Sequence, residues 1–360
     1  MFQLLRRAFY RVRRYPPAQL QHFSRLFGHL EIFNRVGERQ ISLPEVAEMA
    51  LIEQAAYLRG DTYRVPEDYA AVLPRAQYCP TNNVVLTSSK EILSESLNTG
   101  TLNNLDMRAL YTRRVRRVPG YAAVLRSRYN NYYHSVVDNF PRLLALHQSP
   151  FADLAEIKLL CPRGLTDAEA YFLPRLCPPN VKVVQVEEGS LYDVEHLIFT
   201  PFKTRRFAGY LPPAYVDYIR SNFVPKRASR RGKRILISRE RARMRRIENH
   251  DELVAKLAEH GFREVVLEEL PIEQQIALFF DAEAVVGAHG SGLVNVLFSQ
   301  DIHVVELFPA RYVVPHYFYL SKSVGHRYSY WCGDRNLRDA ATFHVDVPAV
   351  LKLLCRAGLG

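Results

Sequence analysis

A glycine-rich stretch follows a short apolar run in the second half of the sequence. Gly287, Gly290 and Gly292, with His289 among them, precede the apolar segment Leu293–Phe298. This pattern predicts a strand, a tight turn and a helix, because glycine lets the backbone turn sharply and come close to a ligand. The N–H groups at a helix N-terminus bind anions, most often phosphate. An ordinary tight turn fits the same spacing, and the surrounding residues must separate the two interpretations.

A dense group of arginines follows the predicted strand Arg234–Ser238. From Lys226 to Arg246 there are eleven basic residues and one acid, so the formal net charge of +11 is concentrated in one segment. Arginine suits a diphosphate because its planar guanidinium group donates two hydrogen bonds in a fixed geometry. We therefore predict phosphate contacts from Arg239 and from Arg245 or Arg246. For the first half of the segment a solvated basic loop fits better.

Two further groups of residues could do chemistry. His134 and Asp138 are four residues apart in a predicted helix, which places them on one face. A carboxylate beside an imidazole can orient the ring, raise its pKa or act as a base, although a buried polar pair without chemistry fits as well. Glu306 ends a later predicted strand, where an acid can accept hydrogen bonds from ribose hydroxyls. The sequence has no D-x-D motif and no metal-ligand spacing of its twelve histidines, so we expect no metal site.

The elements that would position these residues follow an α/β pattern. Strands predicted at 157–162, 181–186, 234–238, 283–286 and 303–307 alternate with helices, which is typical of parallel sheets. A basic, proline-containing stretch near residue 225 divides the pattern into two blocks. We predict a helical N-terminal extension at 1–60, an α/β domain with an irregular β region at 61–224, a second α/β domain at 225–335 and a C-terminal tail at 336–360 that packs back on the body.

Composition and cysteine usage restrict the class of protein. Hydrophobic residues make up 48% and charged residues 24% of the chain, which is typical of a globular protein. Five widely spaced cysteines without a C-x-x-C pair favour a reducing, cytoplasmic location and no structural zinc. Phe2, Leu5, Phe9 and Val12 share one face of a basic N-terminal segment. This face suits peripheral contact with the inner membrane surface, and it suits packing on the protein's own body equally well.

Taken together, these residues resemble glycosyltransferase family 61, whose members include bacterial capsular and exopolysaccharide enzymes, EGF-domain O-GlcNAc transferase and plant xylan glycosyltransferases. The resemblance lies in four blocks that keep their order and spacing over residues 120–331. The blocks are Tyr133–Leu143, Ile237–Arg239 with Arg245–Ile247, Gly287–Asn295 and Gly325–Tyr328. At Ser135 the chain departs from the family, which often has an aromatic residue after its histidine.

The resemblance implies a GT-B fold, with two Rossmann-like domains facing a cleft, the first on the acceptor side and the second binding the nucleotide sugar. It implies inverting, metal-independent transfer from a nucleotide-diphosphate sugar, with a UDP-sugar as the first expectation, to a hydroxyl of a glycan or glycolipid in surface polysaccharide synthesis. No cofactor is expected. Asp138 is the implied base, with His134 as its partner or as the alternative base. The implied donor contacts are Arg239, Arg245, Arg246, His289, Gly290, Ser291, Gly292, Asn295 and Glu306.

Two other classes of protein compete with this interpretation. An epimerase acting on nucleotide sugars would carry a dinucleotide, but the pattern G-x-x-G-x-G differs from the dinucleotide fingerprint G-x-G-x-x-G. A basic protein could bind nucleic acid. We expect no nucleic-acid partner, because a charge surplus confined to one segment favours a local anion site over an extended surface.

Overall fold

The computed structural model describes most of the chain beyond residue 61 and short stretches before it. The described residues are 20–21, 30–37, 39–42, 62–65, 67–97, 102, 105–127, 129, 131–202, 210–229, 231–309, 313–333 and 342–360. Contacts between residues divide the chain into two compact units. The first unit consists of residues 1–37, 67–130 and 138–206, and the second of residues 38–66, 131–137 and 207–360.

Strands and helices alternate along most of the described chain. The strands are β1 Leu20–Gln21, β2 Glu31–Val36, β3 Arg39–Ser42, β4 Thr62–Val65, β5 Asp68–Cys79, β6 Val84–Leu86, β7 Ile92–Leu93, β8 Val115–Val124, β9 Ile157–Pro162, β10 Val181–Val186, β11 Leu191–Phe199, β12 Lys233–Ile237, β13 Arg246–Ile247, β14 Phe262–Val265, β15 Ala282–Ala288, β16 His303–Phe308, β17 Arg327–Cys332 and β18 Thr342–Phe343. The α-helices are α1 Met107–Leu110, α2 Tyr132–His134, α3 Asp167–Leu176, α4 Pro213–Phe223, α5 His250–Glu259, α6 Ile272–Phe280, α7 His316–Val324 and α8 Val347–Arg356. The 3₁₀ helices are Ser94–Ser96, Phe140–His147, Phe151–Asp153, Leu267–Glu269 and Ser291–Phe298, and Ser135–Asn139 is π-helical.

The first unit is built on a nine-stranded mixed sheet. Its strand order is β1-β7-β6-β5-β11-β8-β9-β10, and β2 also pairs with β5. Strands β11, β8, β9 and β10 run parallel to one another, whereas β5 pairs antiparallel with β11, β2 and β6. β9 is almost entirely buried and the edge strand β10 is largely exposed. This difference is expected, because an inner strand of a parallel sheet is covered on both faces.

The helical extension predicted at residues 1–60 is not confirmed. The part of this stretch that the structure describes forms the strands β1, β2 and β3, and β2 pairs antiparallel with β5. The sequence of β2, Glu-Ile-Phe-Asn-Arg-Val, contains β-branched and aromatic residues that suit a strand. The membrane-facing helix predicted from Phe2 to Val12 lies outside the described residues.

The second unit contains a five-stranded sheet in which every neighbouring pair is parallel. Its strand order is β14-β12-β15-β16-β17. Numbered along the chain within this sheet, the order is 2-1-3-4-5, the doubly wound order that reverses direction between its first and third strands. Such a reversal is a topological switch point, and ligands of open α/β sheets bind beside it at the carboxyl ends of the strands. Here the switch point lies between β12 and β15.

The helices of this unit form two sets, one against the sheet and one around a 3₁₀ helix. Alternate strand residues such as Leu236, Val286 and Val305 form one apolar cluster with residues of α5 and α8. Helices α4, α6 and α7 contact the 3₁₀ helix Ser291–Phe298, which follows β15 directly. The α/β class predicted from the sequence is confirmed, because both units contain sheets of parallel strands connected through helices.

Candidate functional site

The switch point of the second unit brings the arginine segment and the glycine turn together. β12 ends at Ile237, and Arg239 follows two residues later. β15 ends at Ala288, and His289 and Gly290 follow at once. Because β12 and β15 are parallel neighbours, both segments leave the sheet at the same edge. The tertiary structure thus places Arg239 at the turn, although fifty residues separate them in the sequence.

The guanidinium group of Arg239 lies directly against Gly290. A Cβ atom on Gly290 would be 2.9 Å from Arg239 Cζ and closer still to Nη1, so no side chain fits there unless the arginine moves. Arg239 Nη2 donates to the carbonyl oxygen of Met244 at 2.8 Å, whereas the buried Nε has no hydrogen-bond partner among the described residues. Burial, followed by the nearby charge of Arg245, lowers the pKa of Arg239 from its ordinary value. A partly desolvated cation with an unused donor is suited to binding an anion.

Arg245 contacts the same turn, whereas Arg246 does not take part in it. Arg245 adopts a left-handed backbone conformation with φ of 59° and donates from Nε to the carbonyl oxygen of His289 at 2.8 Å. Arg246 is exposed and begins β13, which pairs with β18. It lines an open cavity of about 540 Å³ together with Glu240 and Glu248. Of the two adjacent arginines predicted from the sequence, the structure therefore brings Arg245 to the turn.

His289 and Glu306 form a buried hydrogen-bonded pair. His289 Nδ1 and Glu306 Oε1 are 2.5 Å apart, and the phenol of Tyr328 donates to Glu306 Oε2 at 2.6 Å. Glu306 has no exposed surface and both of its carboxyl oxygens are engaged. Burial raises the pKa of Glu306 well above its ordinary value, and burial with the charges of Arg245 and Arg239 lowers the pKa of His289 well below its own.

Aromatic rings enclose the His289 imidazole. It stacks on Phe308 with ring centroids 5.6 Å apart, and the rings of His316 and Tyr317 lie at 5.6 and 5.4 Å. The phenol of Tyr317 also donates to the carbonyl oxygen of Gly290 at 2.6 Å. No sequence motif marks His316 and Tyr317 as site residues. Only the packing of α7 brings them next to His289. Tyr328 belongs to the block Gly325–Tyr328, but the family resemblance implied no role for it.

Asn295 belongs to an internal hydrogen-bond network. Its side-chain oxygen accepts from the phenol of Tyr132 at 2.7 Å, and its amide nitrogen donates to Gln275 Oε1 at 2.9 Å. Gln275 in turn donates to the carbonyl oxygens of Leu267 and Leu270. Asn295 has no exposed surface, so the network fixes the 3₁₀ helix that follows the glycine turn.

Gly292 and Ser291 lie in the first turn of that 3₁₀ helix. A Cβ atom on Gly292 would be 2.6 Å from Leu267 Cδ1, so the absence of a side chain lets the helix pack against Leu267. Ser291 is partly exposed. The first N–H groups of a helix have no partner within it and remain available for an anion.

His134 and Asp138 lie in an irregular helical segment that crosses from one unit to the other. Tyr132–His134 is α-helical, Ser135–Asn139 is π-helical and a 3₁₀ helix follows. Pro141 lacks an N–H group and cannot complete α-helical hydrogen bonding, which explains the change. Single π-helical turns are frequent at functional sites. Asp138 is buried, whereas His134 is partly exposed.

Ion pairs occupy much of the basic segment. Arg227 binds Asp281 through two hydrogen bonds of 2.8 and 2.9 Å, and Lys233 contacts the same carboxylate. Arg231 contacts Asp301 at 3.4 Å. Among the described residues in the first half of the segment, Arg227, Arg231 and Lys233 are therefore paired with acids.

One group of residues with metal-ligating side chains is found in the described part of the chain. Ligand atoms of Glu240, His250 and Glu264 lie within 4.8 Å of one another. However, His250 Nε2 and Glu264 Oε1 are 2.7 Å apart. Two ligands of a tetrahedral zinc ion would be about 3.3 Å apart, given metal–ligand bonds of about 2.0 Å. The geometry is that of a hydrogen-bonded pair.

A parallel α/β sheet with a cation and a glycine turn at its switch point is an arrangement shared with nucleotide-binding α/β domains. The sequence model of the Glycosyltransferase 61 family matches residues 132–305, a range that contains Asp138, Arg239, Arg245 and His289. Residues 132–305 therefore form a glycosyltransferase family 61 domain, and the chain is a glycosyltransferase. A comparison with curated proteins found no match. Among the described helices, none is both long and apolar enough to span a membrane.

We expect Asn295→Ala to lower the free energy of unfolding by about 1–3 kcal/mol, because it leaves the partly buried side chains of Gln275 and Tyr132 without this hydrogen-bond partner. Chemical denaturation measures this change. Ser291→Ala, in the same helix but partly exposed, is the matched control and should change the unfolding free energy by less than about 0.5 kcal/mol. Equal stability of the two variants would show that Asn295 is not a structural residue.

Proposed function

We propose that the protein transfers a sugar from a nucleotide-diphosphate donor to a hydroxyl group of a glycan or glycolipid, with inversion at the anomeric carbon and without a metal ion. The observation that carries this proposal is the contact between Arg239 and Gly290 at the switch point. It combines a desolvated guanidinium group with the start of a helix, and both favour a diphosphate. Family membership supplies the reaction class, and this geometry supports the donor class.

The departing diphosphate needs positive charge in the transition state. We propose that Arg239 and Arg245 supply it together with the N–H groups of Ser291 and Gly292. Donors that are fixed before the reaction are effective because they need no reorganisation, and removal of one such donor typically costs about 3 kcal/mol of barrier. The left-handed conformation of Arg245 supports the same role, since strained backbone is often retained at functional sites.

The acceptor hydroxyl needs a base. We propose Asp138 for this role, with His134 as its partner or as the alternative base. The buried position of Asp138 in a π-helical turn supports the proposal, because π-helical turns are frequent where side chains have functional roles. A carboxylate can accept the hydroxyl proton as the oxygen attacks the anomeric carbon.

We further propose that the enzyme is of the GT-B type, with the acceptor bound by the first unit and the donor by the second. The doubly wound sheet of the second unit supports the donor assignment. A UDP-sugar is the proposed donor, and synthesis of a surface polysaccharide is the proposed context. An enzyme of this kind would act at the cytoplasmic side of the membrane, where the basic N-terminus could make peripheral contact.

Screening nucleotide sugars for thermal stabilisation tests the donor class. A ligand present at 100 times its dissociation constant stabilises the folded state by about 2.7 kcal/mol. We expect UDP and one or a few UDP-sugars to raise the melting temperature more than inorganic phosphate at the same concentration. Equal shifts with phosphate and UDP would contradict a nucleotide-specific site.

We expect Arg239→Ala to weaken binding of UDP by about 2 kcal/mol or more, which is roughly 30-fold in the dissociation constant, because a charge-assisted hydrogen bond is lost. Isothermal titration calorimetry measures the affinity. Arg243→Ala, an exposed arginine of the same loop, is the matched control and should leave the affinity within about 2-fold.

Two additional variants test whether the affinity depends on the position of the Arg239 side chain. Gly290→Ala keeps every charge but forces the Arg239 guanidinium to move, so it should weaken binding in the same direction. Arg246→Ala tests the second arginine predicted from the sequence. If Arg243→Ala and Arg239→Ala weaken binding equally, general electrostatic attraction explains the affinity and Arg239 has no special contact.

We expect Asp138→Asn to lower the transfer rate by about 100-fold or more, because general base catalysis typically contributes 10² to 10⁴. The affinity for UDP should stay within a few-fold, since the donor contacts lie in the second unit. Radiolabelled sugar transfer and calorimetry measure the two quantities. Asp167→Asn, an exposed carboxylate of the same unit, is the control. A transfer rate close to that of the wild type would remove Asp138 as the base.

Two competing functions have weaker support. An epimerase would need a bound dinucleotide, and the glycine turn follows the third strand of the sheet rather than the first, where the dinucleotide fingerprint belongs. Nucleic-acid binding would need a basic surface. Several of the basic groups in the segment from Lys226 to Arg246 are instead paired with acids, for example Arg227 with Asp281 and Arg234 with Glu283.

A further inference from the structure

Glu306 was expected to contact a ribose, but its surroundings indicate a different role. The carboxyl group has no exposed surface, and its two oxygens are 2.5 Å from His289 Nδ1 and 2.6 Å from the Tyr328 phenol. Because the group is fully buried, a ribose hydroxyl could reach it only if the groups that cover it moved. The side chain is therefore placed to act on His289 rather than on a ligand.

We propose that Glu306 and Tyr328 are positioning residues that hold His289 with a proton on Nε2, so that its imidazole ring serves as a hydrogen-bond donor at the anion site. This inference rests on the proposed function, because it assigns the donor diphosphate as the anion. It adds two positioning residues, of which Tyr328 had no expected role, and it replaces the ribose contact expected of Glu306.

The directions of the hydrogen bonds restrict where the proton of the pair lies. A phenol that donates to Glu306 Oε2 leaves that oxygen without a proton, so a proton on the carboxyl group must be on Oε1, which faces His289 Nδ1. In that arrangement Oε1 donates to Nδ1, and the proton of the neutral imidazole is on Nε2. If the proton moves from Oε1 to Nδ1, the ring is an imidazolium and Nε2 still carries its own proton. Both forms present an Nε2–H donor.

Burial favours these two forms, which keep a proton on Nε2, over the form in which Nε2 has no proton. The form with a bare Nε2 needs an ionised Glu306 beside a neutral His289, and the nearby charge of Arg245 offsets the cost of burying this carboxylate only in part. Burial is the largest influence on both groups, and it raises the pKa of Glu306 and lowers the pKa of His289. Among the described residues, the charged or titratable groups that face the pair include Arg239, Arg245, Tyr317, His316 and Tyr328.

The position of the ring explains why an Nε2 donor is useful. The carbonyl oxygen of His289 is already bound by Arg245, and the next residue, Gly290, lies under the guanidinium of Arg239. Stacking on Phe308 fixes the plane of the ring. A neutral donor of this kind adds a directed hydrogen bond to an anion without adding another buried charge beside two arginines.

The tautomer can be observed directly in the wild-type protein. Histidine labelled with ¹⁵N gives different chemical shifts for protonated and unprotonated ring nitrogens, and comparison with the spectrum of His289→Gln assigns the signals of His289. We expect a protonated Nε2 in the ligand-free protein at neutral pH. An unprotonated Nε2 with a protonated Nδ1 would overturn the proposal, whether or not the protein binds nucleotides.

Substitutions distinguish a positioning role of Glu306 and Tyr328 from a role in packing alone. In Glu306→Gln the amide can donate to Nδ1 and accept from Tyr328, so the Nε2–H tautomer is kept and the affinity for UDP should stay within about 3-fold. Glu306→Ala should weaken UDP binding by about 10-fold or more, and Tyr328→Phe by about 3- to 10-fold, through loss of the tautomer. Tyr330→Phe, two residues away on β17, is the control. Equal affinity of the Gln and Ala variants, both folded by circular dichroism, would overturn the proposal.

The pH dependence of binding gives a second readout. In the wild type, alkaline pH removes the shared proton, leaves Nε2 bare and weakens UDP binding beyond the effects of the nucleotide's own titration. Glu306→Gln has no carboxyl proton to lose, so this additional weakening should be absent. Identical pH profiles would contradict the proposal. If the wild type binds no nucleotide at any pH, the proposed function fails, whereas the tautomer measured by NMR still decides the positioning role.

Discussion

The candidate site depends on the close approach of Arg239 to Gly290. The Arg239 guanidinium lies so close to residue 290 that a Cβ atom there would clash with it, so the glycine and the arginine must be considered as one unit. Their meeting follows from the parallel pairing of β12 and β15 at the switch point of the sheet. The arginine provides charge and the turn provides backbone N–H groups, and neither would form a diphosphate site as well alone.

Placing this cation in a partly desolvated position has consequences for its neighbours. Two arginines near one turn repel each other, and the surrounding rings of Tyr317 and Phe308 lower the local dielectric constant. A third positive charge on His289 would be unfavourable there, which agrees with the lowered pKa of this histidine. The buried Glu306 provides a hydrogen-bond partner that can share one proton with His289, so the pair needs no net charge. The proposed anion site thus keeps its positive charge on the arginines.

Much of the fold was predictable from local sequence patterns. The strands β9 and β10 and the helices α4 and α6 consist of short apolar or amphipathic stretches bounded by clear turn residues, and such signals are local. The N-terminal region was predicted as helix, but its described part forms strands because β2 gains its hydrogen bonds from β5, a partner about 35 residues further along the chain. A strand stabilised by a distant partner leaves only a weak pattern in its own sequence.

By itself the sequence determined the residue types of the site, the α/β class and, through four ordered motifs, the enzyme family. The tertiary structure decided which of these residues meet. Arg245 reaches the glycine turn whereas the adjacent Arg246 is exposed on β13, and Glu306 faces His289 and Tyr328 inside the protein. Arg245 and Arg246 are chemically identical neighbours, so the sequence alone cannot tell which of them reaches the turn. Only strand register and packing fix the direction and burial of each side chain, and burial then sets where its protons lie.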